Sequence, residues 1–106
     1  MFTTIRQYRG DPDQIAEMAH ITDEAFADRL AEQDGFVAYE MVDAGDGTIF
    51  TITVFSDREM AERSNELAAD FIRTSLQGYD LERTSAHTGS VIVNRARNDM
   101  LEMVHA

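Results

Sequence analysis

FVAYEMVDAGDGTIFTITVF, residues 36–55, is the stretch of the sequence that decides the fold. Two runs rich in β-branched and aromatic residues flank residues 44–47, where glycine and aspartate tolerate the left-handed backbone of a tight turn. The pattern predicts a strand over Phe36–Asp43, a hairpin turn, and a strand over Thr48–Phe55. Alternation along the first strand predicts a shared face for three of its residues, Val37, Tyr39 and Met41.

Upstream of this hairpin, the sequence predicts a strand over Phe2–Arg9 and then a helix. Asp11 is a favourable N-cap, Pro12 suits the first helical position, and Gln14 can close a capping box. Apolar residues then recur every three or four positions until an end near Gln33. The spacing predicts one amphipathic helix of about six turns.

Downstream of the hairpin, a second helix is predicted. Ser56 or Asp57 provides its N-cap, its apolar residues again repeat every three or four positions, and Gly78 ends it. Residues Tyr79–Thr88 are polar and are interpreted as a connection. The apolar run Val91-Ile92-Val93 is predicted to be a short fourth strand.

The order of strand, helix, strand, strand, helix and strand predicts an α+β, ferredoxin-like βαββαβ fold with a four-stranded antiparallel sheet. Two helices with one apolar stripe each cover one face of such a sheet. We assign to the uncovered face four residues too apolar for water and too polar for a dry core, namely Ile49, Thr51, Thr53 and Phe55. We expect that face to contact a second copy of the chain in a homodimer. The expected domain is 1–96, followed by a tail, 97–106.

The composition is that of a folded acidic domain. The chain has 106 residues with nine arginines, no lysine, and 20 Asp or Glu, for a net charge of −11. This charge opposes binding to nucleic acid or to an anionic membrane. An acidic chain without lysine suits a halophilic protein that works in molar salt, where repulsion is screened. A genome whose base composition favours arginine is the alternative explanation.

The absence of cysteine removes several classes of chemistry together. Disulfides, thiolate nucleophiles, Cys-ligated zinc and iron–sulfur clusters are all excluded. No stretch approaches the roughly 18 to 20 apolar residues of a membrane helix, and the first residues lack the regions of a signal peptide. We therefore expect a cytoplasmic protein.

Three segments carry a resemblance to a known family: Phe2-Thr3-Thr4-Ile5-Arg6, Asp34-Gly35-Phe36-Val37-Ala38-Tyr39 and Val54-Phe55-Ser56-Asp57-Arg58-Glu59. Over residues 1–96 the chain resembles the dimeric α+β barrel superfamily, and most of all its antibiotic-biosynthesis-monooxygenase-type (ABM) domains. The resemblance implies that two subunits pack sheet against sheet. It also implies a pocket in each subunit between the sheet and the helices.

The family includes cofactor-independent monooxygenases of quinol-like aromatics, haem-degrading enzymes and apparently non-catalytic proteins. Haem degraders use a tryptophan and a histidine on the second helix, whereas this chain has no tryptophan and carries Ser64 and Asn65 there. Of the tryptophan, tyrosine, asparagine and arginine that the monooxygenases use, Asn65 matches the asparagine by position. The resemblance implies a monooxygenase acting on a quinol-like or polyketide aromatic without metal or flavin. The alternative is a non-catalytic dimeric binding or structural protein.

Four residues have chemistry suited to such a site: Asn65, Tyr39, His87 and Arg73. Cofactor-free oxygenation needs an acceptor for a phenolic proton and donors that stabilise the resulting anion. Each residue also has an alternative role. Asn65 can bond locally and Tyr39 can pack in the core. Arg73 can complement the helix dipole, and His87 can be an exposed loop residue.

Two motifs suggest metal binding and are rejected. Glu17-Met18-Ala19-His20 has the Glu-x-x-His spacing of di-metal bundles, but one copy exists and it lies opposite the apolar face, as a solvated acidic surface does. Residues 43–47 suggest a calcium loop, but Val54 stands where the loop requires a terminal glutamate. We predict no metal and no bound cofactor.

Overall fold

The computed structural model describes residues 1–97. Four strands, β1 (Phe2–Gly10), β2 (Phe36–Gly45), β3 (Thr48–Phe55) and β4 (Leu81–Ser90), form one antiparallel sheet in the order β2-β3-β1-β4. Helices α1 (Ile15–Ile21), α2 (Asp28–Ala31) and α3 (Arg58–Ser75) complete the fold. The ferredoxin-like α+β architecture predicted from the sequence is confirmed.

The predicted first helix is a continuous helical run with a π-helical centre. A 3₁₀ turn (Pro12–Gln14) leads into α1, and a π-helical segment (Thr22–Ala27) joins α1 to α2. The Asp11 carboxylate caps the run by accepting a 2.9 Å hydrogen bond from the Asp13 N–H. The predicted capping box is wrong, because the Gln14 Oε1 instead accepts a 2.9 Å hydrogen bond from the Asp80 N–H. This bond connects the start of the helical run to the residue that precedes β4.

The π-helical segment begins where a side chain competes for a backbone carbonyl. The Thr22 hydroxyl donates a 2.8 Å hydrogen bond to the Met18 carbonyl, which the Thr22 N–H also uses. Hydroxyl groups that bond back by one turn often distort helices, and single π turns occur frequently at functional sites. The segment places Thr22 and Phe26 toward the sheet, where both are buried.

The predicted hairpin is present, with one difference in β2. A bulge between Phe36 and Ala38 turns Phe36 and Tyr39 to the same face, so Val37 is 48% exposed and does not share a face with Tyr39 and Met41. An extra residue on one strand shifts the alternation of all side chains before it. The prediction for Val37 is therefore wrong.

The assignment of the uncovered sheet face is also wrong, because the two faces of β3 are exchanged. The residues assigned to the uncovered face are at most 5% exposed and face the helices; they are Ile49, Thr51, Thr53 and Phe55. The face away from the helices, here called the outer face, instead carries apolar residues of β3, namely Phe50, Ile52 and Val54. The threonines are inside because their hydroxyl groups have a buried hydrogen-bond donor to satisfy.

The fourth strand lies where a connection was predicted. β4 spans Leu81–Ser90 and pairs with β1, whereas Ile92 and Val93 lie outside the strand and are 91% and 84% exposed. β4 is an edge strand and tolerates polar residues, because backbone pairing with β1 holds it in place. Its composition therefore hides it from a search for apolar runs.

Helix α3 approaches the sheet closely because small residues line its contact face. Ala61, Ser64 and Ala68 are buried at one-turn spacing, and Phe71 continues the stripe. The Thr4 hydroxyl of β1 reaches the Ala61 carbonyl at 2.7 Å. Asp57 is the cap, accepting a 2.8 Å hydrogen bond from the Met60 N–H.

Over residues 1–97, no helix is long and apolar enough to cross a membrane. Apart from Arg97, the predicted tail 97–106 lies outside the described residues. The division into a domain and a tail stays a prediction.

Gly47 provides a test of the hairpin. Its φ is +80°, and a Cβ there would meet the Gly10 carbonyl oxygen, whereas Gly45 has a φ of +91° and open space around it. We expect Gly45→Ala to lower the free energy of unfolding by about 1–2 kcal/mol, the cost of a left-handed residue. Gly47→Ala should cost about 1–3 kcal/mol more from overpacking. Urea denaturation measures both, and equal losses would contradict the predicted clash.

Candidate functional site

A narrow cavity lies between the helices and the inner face of the sheet. Its walls are mostly apolar and aromatic, and include Phe26, Tyr39, Ile49 and Phe71. The space that water can enter is about 30 Å³. At about 10–15 Å³ for one water, that is room for about two. The cavity is therefore almost filled by its own side chains in this conformation.

The central feature of the cavity wall is Arg6, on the middle of β1. Its side chain is 0% exposed and its guanidinium donates four hydrogen bonds. Two go to β3, from Nε to the Thr51 hydroxyl at 3.1 Å and from Nη2 to the Thr53 hydroxyl at 2.5 Å. Two go from Nη1 to α3, to the Ser64 hydroxyl at 3.1 Å and the Asn65 Oδ1 at 3.2 Å.

All four of these acceptors are neutral. Within residues 1–97 the salt bridges involve other residues, so no carboxylate pairs with Arg6. Burial lowers the pKa of Arg6 below its ordinary value, and the nearby Arg83 cation lowers it further, while Tyr8 and Tyr39 raise it. Arginine nevertheless stays charged in proteins. The cavity wall therefore contains a buried cation without a charged partner.

Arg83 brings a second cation close to the first. It lies on β4 opposite Tyr8, and its Nη1 donates a 3.1 Å hydrogen bond to the Asn65 backbone carbonyl. Asn65 thus contacts both guanidinium groups, Arg6 through its side chain and Arg83 through its backbone. Unlike Arg6, Arg83 is exposed.

The structure brings two of the four predicted site residues to this region. Tyr39 lines the cavity, where its ring and the Phe26 ring form an edge-to-face pair with a centroid distance of 5.6 Å. Asn65 lies behind the wall and reaches the cavity through Arg6. Burial raises the pKa of Tyr39 well above its usual range, although the Arg6 cation lowers it. The Tyr39 hydroxyl therefore remains a protonated donor at neutral pH.

The other two predicted residues lie elsewhere. His87 is in β4 rather than in a loop, and it faces away from the helices opposite Ile5. Arg73 is exposed in the last turn of α3 and forms an ion pair with Asp70. Neither residue lines the cavity.

Sequence reasoning missed Arg6, which joins β1 to β3 and α3 at the cavity wall. On β1, Arg6 alternates with Thr4 and Tyr8 on one face, and Ile5 lies on the other face. The apolar alternation alone would place Ile5 inside. Only the threonines of β3, two neutral acceptors at matching spacing, indicate that Arg6 faces inward.

The described residues do not fit a metal or haem in this cavity. Within residues 1–97, no group of three or more His, Cys, Asp or Glu could hold a metal ion. The two described histidines are away from the cavity: His20 lies 3.5 Å from Glu24 on an exposed helix face, and His87 is on the outer face. No described imidazole is therefore placed to bind haem iron there.

Comparison with known proteins places the fold among the ferredoxin-like α+β structures. No family model matches the sequence, and no curated protein matches it. Solved structures match with high coverage but low identity. A dimeric ferredoxin-like protein from an uncultured marine organism has a TM-score of 0.67 at 12% identity, over 91% of this chain and 98% of the other.

Two further structures have described activities. SnoaB, a cofactor-independent oxygenase from Streptomyces nogalater, has a TM-score of 0.62 at 19% identity, over 88% of this chain and 94% of its own. The haem degrader MhuD from Mycobacterium tuberculosis has a TM-score of 0.67 at 13% identity, over 91% of this chain and 100% of its own. Other similar structures bear the name antibiotic biosynthesis monooxygenase. The predicted resemblance is thus confirmed for the fold.

The protonated state of Tyr39 has a consequence for stability. Above about pH 10 the unfolded chain loses the tyrosine proton while the folded protein keeps it, so unfolding releases a proton and the free energy of unfolding falls as pH rises. We expect Tyr39→Phe to remove up to about 1.4 kcal/mol per pH unit of that slope. Denaturation of both proteins between pH 8 and pH 11 measures the difference. Parallel curves would contradict the raised pKa.

Proposed function

We propose that the protein binds an aromatic small molecule in the cavity and oxygenates it with molecular oxygen, without a resident metal or flavin. The observation that carries the proposal is the combination in one cavity of aromatic walls, a buried cation and a protonated phenol. Similar structures include a cofactor-independent oxygenase and proteins named as monooxygenases. Because these structures have low sequence identity to the chain, they support the fold alone. The chemistry of the cavity supports the activity.

The chemistry asks little of the protein. A quinol-like substrate SH₂ supplies both protons and all four electrons in the reaction SH₂ + O₂ → SO + H₂O, in which one oxygen atom is inserted into the substrate and the other leaves as water, so no external reductant is needed. The rate depends on stabilising the substrate anion that transfers electrons to oxygen. Arg6 supplies positive charge beside the cavity, and the Tyr39 hydroxyl supplies a donor. Asn65 acts as a positioning residue, because its Oδ1 holds the Arg6 Nη1.

Substrate entry requires the cavity to widen. Ligand pockets typically measure about 300–1,000 Å³, whereas the space open to water here is about 30 Å³. The π-helical segment supplies Thr22 and Phe26 to the wall, so a shift of this segment would open the cavity. His87 and Arg73 are assigned no catalytic role in this proposal.

We expect the protein to consume oxygen in the presence of members of a hydroquinone panel. Tyr39→Phe should slow uptake by about 10- to 100-fold, since it removes a donor to the developing anion. Asn65→Ala should slow uptake through the loss of Arg6 positioning. Tyr79→Phe is the matched control, because Tyr79 is not among the residues that line the cavity.

Oxygen-electrode assays with circular dichroism as a fold check decide the outcome. Rates equal to those without protein, for every hydroquinone, would contradict the oxygenase. Hydroquinone binding without uptake would favour the alternative, a non-catalytic dimeric binding protein.

We also propose a homodimer formed through the outer face of the sheet. Ile5, Val37 and Val42 are 42%, 48% and 41% exposed on the isolated chain, and Phe50, Ile52 and Val54 lie between them. Apolar faces of this kind mark interaction sites. A similar structure is described as dimeric, which agrees with this arrangement. A cytoplasmic location and adaptation to high salt stay predictions.

Ile5→Glu tests the dimer, because it places a charge at the centre of the outer face. We expect the wild-type protein to sediment as a dimer and Ile5→Glu to sediment as a folded monomer. Ala25→Glu, on the exposed surface of the helical run, adds the same charge and should remain dimeric. A monomeric wild-type protein in analytical ultracentrifugation would contradict the proposal.

A further inference from the structure

We propose that the ligand of the cavity carries a carboxylate group, and that Arg6 and Arg83 select it over neutral molecules of the same shape. The inference rests on the proposed function, since it specifies the class of molecule that the cavity binds. The aromatic walls would hold the apolar body, and the positive charge of Arg6 on the cavity wall and of Arg83 nearby would attract the acid group.

The first argument is the missing counter-charge. The sequence has 20 Asp or Glu and nine Arg, so an acidic partner for a buried arginine is readily available. Buried charges are normally paired, because removing one from water is costly. Yet the acceptors that Arg6 contacts are hydroxyl groups, including that of Tyr8, and an amide oxygen. The arrangement keeps the cation charged and leaves it electrostatically unpaired on the wall of a cavity.

The second argument is the position of Arg83. It lies opposite Tyr8 across the β1–β4 pair, and Tyr8 and Leu81 both line the cavity. Arg6 and Arg83 bond the same residue, Asn65, on its side chain and its backbone. The two cations repel each other, and an anion bound near them would relieve that repulsion. Within residues 1–97, no salt bridge of Arg83 offsets it.

The third argument concerns which anion fits. Arg6 already donates four hydrogen bonds, so it acts on a ligand mainly through its charge. The cavity is narrow and lined by aromatic rings, which suits a flat carboxylate joined to an aromatic ring better than a tetrahedral phosphate. The overall charge of −11 repels anions at a distance, but salt screens that repulsion beyond about 10 Å at 0.1 M. Selection is therefore a local effect of the two arginines.

The test compares 1-naphthoate with 1-naphthamide, its neutral isostere, by isothermal titration calorimetry at pH 7 and fixed ionic strength. Neither probe is a quinol, so binding is measured without oxygen consumption. We expect naphthoate to bind at least tenfold more tightly than naphthamide. Equal affinities for the wild-type protein would overturn the proposal.

Two variants assign the preference to the arginines. Arg6→Gln should abolish it, and Arg83→Gln, at an exposed position, should reduce it at least threefold. Arg9→Gln is the matched control. Arg9 is exposed and lies on β1 with Arg6, and the substitution removes the same charge. A preference unchanged in Arg83→Gln would overturn the role of Arg83 whether or not Arg6→Gln folds.

The outcomes are distinct from those of the oxygen assay. Acid-selective binding without oxygen uptake by any hydroquinone would support the inference for a binding protein and contradict the oxygenase. Oxygen uptake with equal binding of naphthoate and naphthamide would support the oxygenase and overturn the inference. Binding of neither probe would overturn it as well.

Discussion

The burial of one guanidinium group organises the inner half of this protein. Removing a charged group from water costs several kcal/mol even after the protein relaxes. Arg6 can be fully buried only because hydroxyl and amide oxygens of β3 and α3 converge on it. Hydrogen bonds to a charged group contribute about 1.5–3 kcal/mol each. The same bonds that solvate Arg6 therefore join β1, β3 and α3.

This requirement explains the residues around it. Ser64 can reach Arg6 only if α3 lies close to the sheet, and Ala61 and Ala68 on the same stripe keep that distance small. Thr51 and Thr53 occupy inner positions of β3, where a purely hydrophobic core would have placed larger apolar residues. The inner face thus combines polar groups near α3 with aromatic groups near the π-helical segment, and the cavity lies where the two meet. Three apolar residues of β3, Phe50, Ile52 and Val54, lie on the outer face, where a second chain can cover them.

Much of the fold could be predicted because local signals and tertiary structure agree. The hairpin after Phe36, the N-cap at Asp11 and the cap at Asp57 depend on short-range chemistry, and the structure contains all three. The predictions that failed depend on partners far away in the sequence. Ile92 looked more like a strand residue than Ser85, but pairing with β1 makes the polar stretch the strand. Likewise, alternation showed that β3 has two faces and could not show which one the helices cover.

The candidate site could likewise be predicted only in part. Tyr39 stood out because a tyrosine among apolar residues of a strand presents a hydroxyl at the edge of a core, and Asn65 stood out beside the apolar stripe of a helix. His87 and Arg73 have equally suitable chemistry, but their positions depend on the register of β4 and on the direction of one side chain at a helix end.

Arg6 was missed because a hydropathy pattern does not expect a buried arginine. Its placement becomes understandable when donors are counted against acceptors: Thr51, Thr53, Ser64 and Asn65 come from two separate elements, and a single inward guanidinium satisfies them all. Searching strands for polar rows that can bond one another would detect such a residue, whereas searching for apolar faces conceals it.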